Sequence, residues 1–343
     1  MRTEISSSAS KSIAIKPLSF NDVEQIRQKY QEKSHEVSKK RKKAVFIACV
    51  ILFPIELTLL LIGIFKLPSP TATHFLILIF PILFACLFQI LIISLIVLLV
   101  TYKDTAILAE YHIAYKRAYK SYFIHRQLAK LFTNLHYDHD QGLNPNLLRA
   151  TKLIYTGDKY RSNDLVVARY KNTNFAGADV HIEERHERRD KDGHVETYYV
   201  TIFKGRYLIF EFPKKFEFKM TVSFNGHGSG YHNPKTNRGF QRIETESPEF
   251  NRRFLVYAED GFEAFYILNP DFIHKLEQLG EKYQNALSLY FSDNKMYVGL
   301  NDGNDTFEPP AVSTPLDEKT ETEKVINDMK LVTNLVDSLK LSK

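Results

Sequence analysis

The pattern of apolar and polar positions changes character along this chain. Residues 44–65, AVFIACVILFPIELTLLLIGIF, and 75–102, FLILIFPILFACLFQILIISLIVLLVTY, are near-continuous apolar runs of 22 and 28 residues. About 20 apolar residues carry a helix across the hydrocarbon core, so both runs predict membrane spans. The linker between them, KLPSPTATH, has only nine residues, which predicts a two-helix transmembrane hairpin with both ends on one side. On either side of these runs the apolar period is helical. Val23, Ile26, Tyr30 and Val37 share one face, behind a capping box of Ser19 and Asp22. After the second run, Tyr111, Tyr115, Tyr119 and Phe123 stand four apart, the spacing of a single helical stripe. They predict a basic aromatic stalk helix within 103–144, packed on the N-terminal helix.

From about Leu147 the period becomes two. DLVVARY, ADVHIEERH, ETYYVTIFKG, RYLIFEF and FEFKMTVSF read as strands, with the turn DKDG (Asp190 to Gly193) closing a hairpin. RRFLVYAE reads as a further strand, followed by a helix near Asn269 to Leu279. ALSLYF and KMYVGL then flank a predicted turn at SDNK. The expectation for 145–310 is a mainly antiparallel α+β domain. The linker EPPAVSTPLDEKTETE leads to an amphipathic helix within 311–343, with Val325, Met329, Val332, Val336 and Leu339 on one side. A stripe so continuous must be covered by this domain, the stalk or a partner helix.

Charge gives this layout an orientation. The net charge of +6 is concentrated where Lys39, Lys40, Arg41, Lys42 and Lys43 form a block ending the N-terminal segment 1–43. Lys103, Lys116, Arg117 and Lys120 follow the second run, while the linker offers only Lys66. The positive-inside rule therefore predicts that both termini face the cytosol, with the block and Lys103 against lipid headgroups rather than nucleic acid. The two cysteines, Cys49 and Cys86, both lie in the apolar runs, which excludes a disulfide-stapled domain. Glu56 and Gln89 are the polar residues of the spans, and hydrogen bonding between helices or protomers accounts for them more simply than transport does.

Candidate chemistry is sparse. His181, Glu183, His186, Asp190, Asp192 and His194 crowd one hairpin, yet arginines and lysines share it and no H-E-x-x-H or CxxC spacing occurs. Gly226, Gly228 and Gly230 lie in SFNGHGSGYHN, where neither a following helix N-terminus nor a Lys-Ser/Thr pair completes a phosphate loop, and Ser229 lies in no nucleophile elbow. NDGND, Asn301 to Asp305, is similar to a calcium loop but lacks the repeated oxygen ligands and the closing glutamate, so it reads as a turn. No catalytic set, metal site or cofactor follows from motif.

One stretch carries a resemblance. Phe254, Val256 and Tyr257, then Ala264, Tyr266, Ile267, Leu268, Pro270 and Phe272, match a phrase of the type F-x-V-Y … A-x-Y-I-L-x-P-x-F. With YDHDQGL, Tyr137 to Leu143, ahead of it and the LSLYFSDNKMYVGL segment behind, the chain from Val37 onward resembles a bacterial family of unknown function. This is the domain-of-unknown-function family numbered thirty-one thirty-seven. The resemblance implies two N-terminal membrane helices, a bacterial inner-membrane location, and a shared assembly with LemA-type membrane proteins. It transfers no catalytic residue. Being mostly apolar and aromatic, the phrase reads as the domain's hydrophobic spine.

The expectation is thus a membrane-anchored, non-enzymatic interaction or assembly module, its partner a membrane protein or a second copy. Two alternatives stay open. One is a ligand or anionic-lipid sensor using the glycine loop and basic stalk. The other is an enzyme whose first candidates are His227, His232 and the His181–His194 hairpin.

Overall fold

The computed structural model describes residues 18–65, 72–191, 193–225, 231–232, 239–283 and 286–339. The chain divides into two compact units, Met1–Ala118 with Pro310–Leu316, and Tyr119–Pro309 with Asp317–Lys343.

The first unit is built on two long helices, α1 (Phe20–Phe65) and α2 (Ala72–Tyr119). Ser19 opens α1 as its capping residue: its Oγ accepts from the Asp22 amide at 3.2 Å, and Asp22 Oδ2 accepts from the Ser19 amide at 2.8 Å. The helices run antiparallel. Tyr30 meets His112 and Tyr115, whereas one turn after another along α1 brings Lys40 to Asp104, at 3.1 Å. Arg27, buried beside them, pairs with Glu24 at 2.6 Å and donates to the Val312 carbonyl, fixing the 310–316 segment to this helix pair. Both predicted spans are helical. Among the described residues one helix, Leu87–Leu131, is long and apolar enough to cross a membrane. Leu87, Leu91, Leu95, Leu98 and Leu99 are all exposed on it, as lipid-facing positions would be.

In the second unit a six-residue π-helical turn (Lys120–His125) and α3 (Arg126–Leu131) precede the sheet. Seven antiparallel strands follow: β1 (Thr133–Asp138), β2 (Lys159–Tyr170), β3 (Thr173–Arg189), β4 (Val195–Phe224), β5 (Gln241–Ile243), β6 (Phe254–Ala258) and β7 (Leu287–Leu300). The order is β1-β2-β3-β4-β6-β5, and β7 also pairs with β4. Short helices connect them: α4 (Pro145–Thr151), α5 (Pro248–Arg253), α6 (Gly261–Ile267), and α7 (Pro270–Lys282) ahead of β7, with α8 (Glu318–Leu339) last. Leu143, Leu148, Ile154, Ile182, Phe203 and Tyr207 fill the core on one face of the sheet. On the opposite face α8 closes over Leu208, Phe175 and Phe307 with Met329 and Val332.

Several expectations are corrected here. Three predicted strands are one: β4 runs for 30 residues. At Gly205 (φ +152°) any Cβ would overlap the Leu300 carbonyl, so this glycine lets β7 approach closely. The register then slips between Glu211 and Phe216, around Pro213, which has no amide for the ladder. The predicted SDNK turn is no turn. β7 continues through it as a bulged strand, with Asp293 at φ +57°, because β4 is long enough to pair with both of its halves. The helical stalk ends at Leu131 rather than near 144, and Thr133–Asp138 is an edge strand. Three short helices lie outside the expected elements, and Asn144 caps the first, α4. Ser247 caps α5 and Asp260 caps α6, each within a stretch that also carries strand-forming residues.

The terminal stripe is also settled within this unit. Val325, Met329, Val332 and Val336 are buried against their own domain, so they are not an open face for a partner helix; the Leu339 side chain lies outside the described residues. Placing a side chain at position 205 tests the β4–β7 approach. Gly205→Ala should destabilise the second unit by about 1–3 kcal/mol, read from urea unfolding. An unchanged midpoint would mean that the two strands separate at no cost.

Candidate functional site

Apart from Asp305, the last residue of NDGND, the titratable residues that come together are ones no motif marks. Lys120, in the π-helical turn, is 3% exposed, although its place among basic stalk residues suggested a surface lysine. Its Nζ lies 2.5 Å from Asp164 and 2.9 Å from Glu308. Asp164 sits at a β2 bulge with φ +58°, which turns its carboxylate inward; aspartate tolerates this conformation better than most residues. There it also accepts from the Tyr137 hydroxyl at 2.6 Å and from Asn163 Nδ2 at 2.7 Å.

Asp179 on β3 lies beside this pair. Its Oδ2 accepts from the Thr306 amide at 3.0 Å, and its Oδ1, 3.8 Å from Arg206 Nε, makes no hydrogen bond. Arg206 in turn donates to the Asp328 carbonyl of α8 at 3.1 Å and lies over the Phe307 ring. Carboxylate oxygens of Asp164, Asp179 and Asp305 fall within 4.8 Å of one another.

Four carboxylates therefore face two cations: Asp164, Asp179, Lys120 and Arg206 are buried, Glu308 is half-buried and Asp305 is exposed. Burial raises the Asp179 carboxyl, with neighbouring Asp305 adding to the effect against the pull of Arg206, and it is pushed up to about 7. Asp305 is raised as well, first by burial and then by Glu308. Burial disfavours charge on Lys120, but Asp164 and Glu308 outweigh it, and the ammonium is held above its usual range. Asp164, Asp179 and Asp305 are close enough to ligate one divalent cation. Asp164, however, already holds the Lys120 ammonium at Oδ2 and the Tyr137 hydroxyl at Oδ1. What the arrangement does best is hold a proton between carboxylates while tying the π turn, β2, β3, β4, the 305–308 segment and α8 together.

The candidates read from sequence lie elsewhere. His181 contacts Thr201 at 3.0 Å, His186 stacks on Tyr198, and His194 lies 3.4 Å from Asp190 at the hairpin tip. Among the described residues these histidines do not converge on a common point with carboxylates. Gly226, His227, Gly228, Ser229, Gly230 and Asp192 lie outside the described residues, as does the side chain of Glu56. His232 packs on Tyr155 with ring centroids 3.8 Å apart, and burial lowers its pKa, aided by Lys152.

The Asn301–Asp305 turn braces β4: Asn301 Oδ1 accepts from the Lys204 amide at 2.8 Å, and its Nδ2 donates to the Ile202 carbonyl at 3.1 Å. It also borders a polar cleft of about 300 Å3, lined by Arg206, Asp302, Asp305, Lys324 and Asp328. In the first unit Lys39, Arg41, Lys42, Lys43 and Lys103 are exposed, Lys40 is paired with Glu36 and Asp104, and Gln89 is half-buried. The phrase that carried the family resemblance divides. Phe254, Val256, Tyr257, Ala264, Ile267, Leu268 and Phe272 are core, whereas Tyr266 is exposed, as are Phe262 and Phe265 beside it.

The comparisons agree with that phrase. Residues 201–341 match the family described as protein of unknown function (DUF3137). The resemblance drawn from the sequence thus holds over this part of the chain, a shorter span than the one from Val37 onward. DUF3137 covers β4 to α8, including Arg206, Asp305 and Glu308 of the cluster, but not Lys120, Asp164 or Asp179. A crystal structure of the mycobacterial trehalose monomycolate transport factor A, TtfA, is similar at 10% identity, with a TM-score of 0.35 over 66% of this chain and 96% of that one. No curated protein matches.

The proton on Asp179 gives a signed prediction. A carboxyl raised in the folded state contributes its stability at pH below the ordinary carboxylate range and loses it as pH rises through about 7. Wild type should therefore lose more stability between pH 5 and 8 than Asp179→Asn, whose amide stays neutral throughout. Parallel urea-midpoint curves for the two proteins would show that Asp179 is already ionised at pH 5.

Proposed function

We propose that this chain is a membrane-anchored interaction or assembly module rather than an enzyme. The observation that carries the reading is the condition of the titratable cluster described above. Lys120, Asp164, Asp179, Arg206 and Glu308 engage one another and the backbone, beneath α8. A catalytic constellation presents a base, acid or nucleophile to a cleft that a substrate can enter. The void that Asp164, Asp179 and Arg206 line with Met329 and Val332 has room for about one water, and the polar cleft of about 300 Å3 beside it is lined by Arg206 and Asp305 but not by Lys120, Asp164 or Asp179.

Anchoring is supported by the Leu87–Leu131 helix and by the apolar character of 44–65. We read the two segments as a two-pass hairpin in a bacterial inner membrane, with both termini cytosolic. Lys39, Arg41, Lys42, Lys43 and Lys103 would then meet lipid phosphates. The partner is a membrane protein, of LemA type by the family resemblance, or a second copy. A mild-detergent pull-down of the full-length protein from its native membrane, followed by mass spectrometry, tests this. A stoichiometric membrane partner or a self-assembled complex is the expected outcome. A monomer recovered alone, mainly from the soluble fraction, contradicts both halves of the reading.

A further inference from the structure

The β3–β4 hairpin outgrows the sheet. β2 pairs with β3 only as far as Lys159↔Glu183, and β7 pairs with β4 only from Arg206 onward. Between these limits and the turn, six residue pairs, Glu184↔Val200 to Arg189↔Val195, form a two-stranded ribbon. Such a ribbon is marginal in water without further strands or a covered face.

Its two edges are not alike. The β3 edge is guarded: every residue from Glu183 to Arg189 is charged or histidine, and the Arg185 amide is taken by Asp158 Oδ2 at 2.7 Å. The β4 edge reads Glu196, Thr197, Tyr198, Tyr199, Val200, Thr201, with one charge in six and strong strand formers throughout. Among the described residues no strand pairs with it. All six residues are exposed, and Tyr198, Tyr199 and Val200 among them are large apolar ones. Natural proteins block a long edge of this kind with lysine, proline or a covering segment, as the β3 side does here. An edge left open beside a guarded one is the mark of a strand acceptor.

We propose that the Glu196–Thr201 edge pairs antiparallel with the same edge of a second copy of this chain. The open stretch is self-limiting, since Asn301 takes the Ile202 carbonyl on one side and the Asp190–His194 turn begins on the other. Facing residues across the two-fold of such a pair must lie on the same side of the sheet, so the axis passes at Tyr199, which faces its own copy. In that register Tyr198 faces Val200 and Thr197 faces Thr201, while Glu196 falls opposite Ile202, where the paired stretch ends. The single charge never meets its own copy, and aromatic and β-branched residues form the cross-strand pairs. The pairing deepens the proposed role as an interaction module and rests on it for one thing: anchoring in a membrane raises the local concentration that so short an interface needs.

Full-length protein in mild detergent and in reconstituted bilayers tests this, with Cys49 and Cys86 replaced by serine. Tyr198→Cys/Val200→Cys should oxidise to a covalent dimer on a non-reducing gel. Glu184→Cys/Glu187→Cys, on the guarded strand, should stay monomeric. Tyr198→Lys/Val200→Lys sets lysine against lysine and should weaken self-association at least tenfold by light scattering, with its thermal unfolding unchanged. A Tyr198→Cys/Val200→Cys protein that remains monomeric, or a dilysine variant that associates like wild type, overturns the proposal. So does a different protein bound stoichiometrically at this edge and released by the dilysine change. A monomer still retained in the membrane would sink the pairing while leaving the membrane-anchored reading intact.

Discussion

An ammonium buried beside a carboxylate organises the second unit. Lys120 leaves the helical region in a π turn, and its side chain enters an interior where an unpaired charge would cost several kcal/mol. Asp164 answers it only because β2 bulges there, and Glu308 only because the 305–308 segment folds back over the sheet. Arg206 repeats the arrangement one strand away, meeting Asp179 on β3 and the α8 backbone. The helix, four strand and loop segments and the terminal helix are thus held by charges that cannot separate singly. Hydrophobic burial supplies the bulk of the stability; the ionic cluster selects this docking over others that would bury the same apolar surface.

That selection bears on the terminal helix. Val325, Met329, Val332 and Val336 would bury comparable area against a stalk or a second chain, and periodicity alone cannot choose among these. Arg206 to the Asp328 carbonyl and Tyr119 to Glu321 add directional contacts that only this domain offers. With the stripe covered internally, the exposed apolar surfaces of this unit include, among the described residues, the aromatics of α6 and the open edge of β4. The family-like phrase reflects the same division: its buried members build the core around α5–α7, while Tyr266 stands outside it.

Much of the architecture was legible because it rests on local periodicity. The apolar runs, the Ser19 cap, the tyrosine stripe, the DKDG hairpin and the helix opened by Asn269-Pro270 are all short-range signals. What escaped depends on partners distant in sequence. Gly205 and Asp293 read as strand breaks because each alone interrupts alternation, yet pairing over 30 residues of β4 carries both through. Lys120 read as a surface lysine because its neighbours are basic, and its partners lie 44 and 188 residues away. Asp164 and Asp179 did leave a trace, as charges set directly beside the apolar positions of LVVA and of Ala178 and Val180. Such charges signal a buried partner without saying which.

The most direct test of this account is a double-mutant cycle on the Lys120–Asp164 pair in the full-length protein. Lys120→Met and Asp164→Asn are each expected to cost about 3–5 kcal/mol, because each strands a buried charge, while the double variant recovers much of that loss. Two small, additive effects would contradict it, and would mean that the cluster is wet, open, and free for some other use.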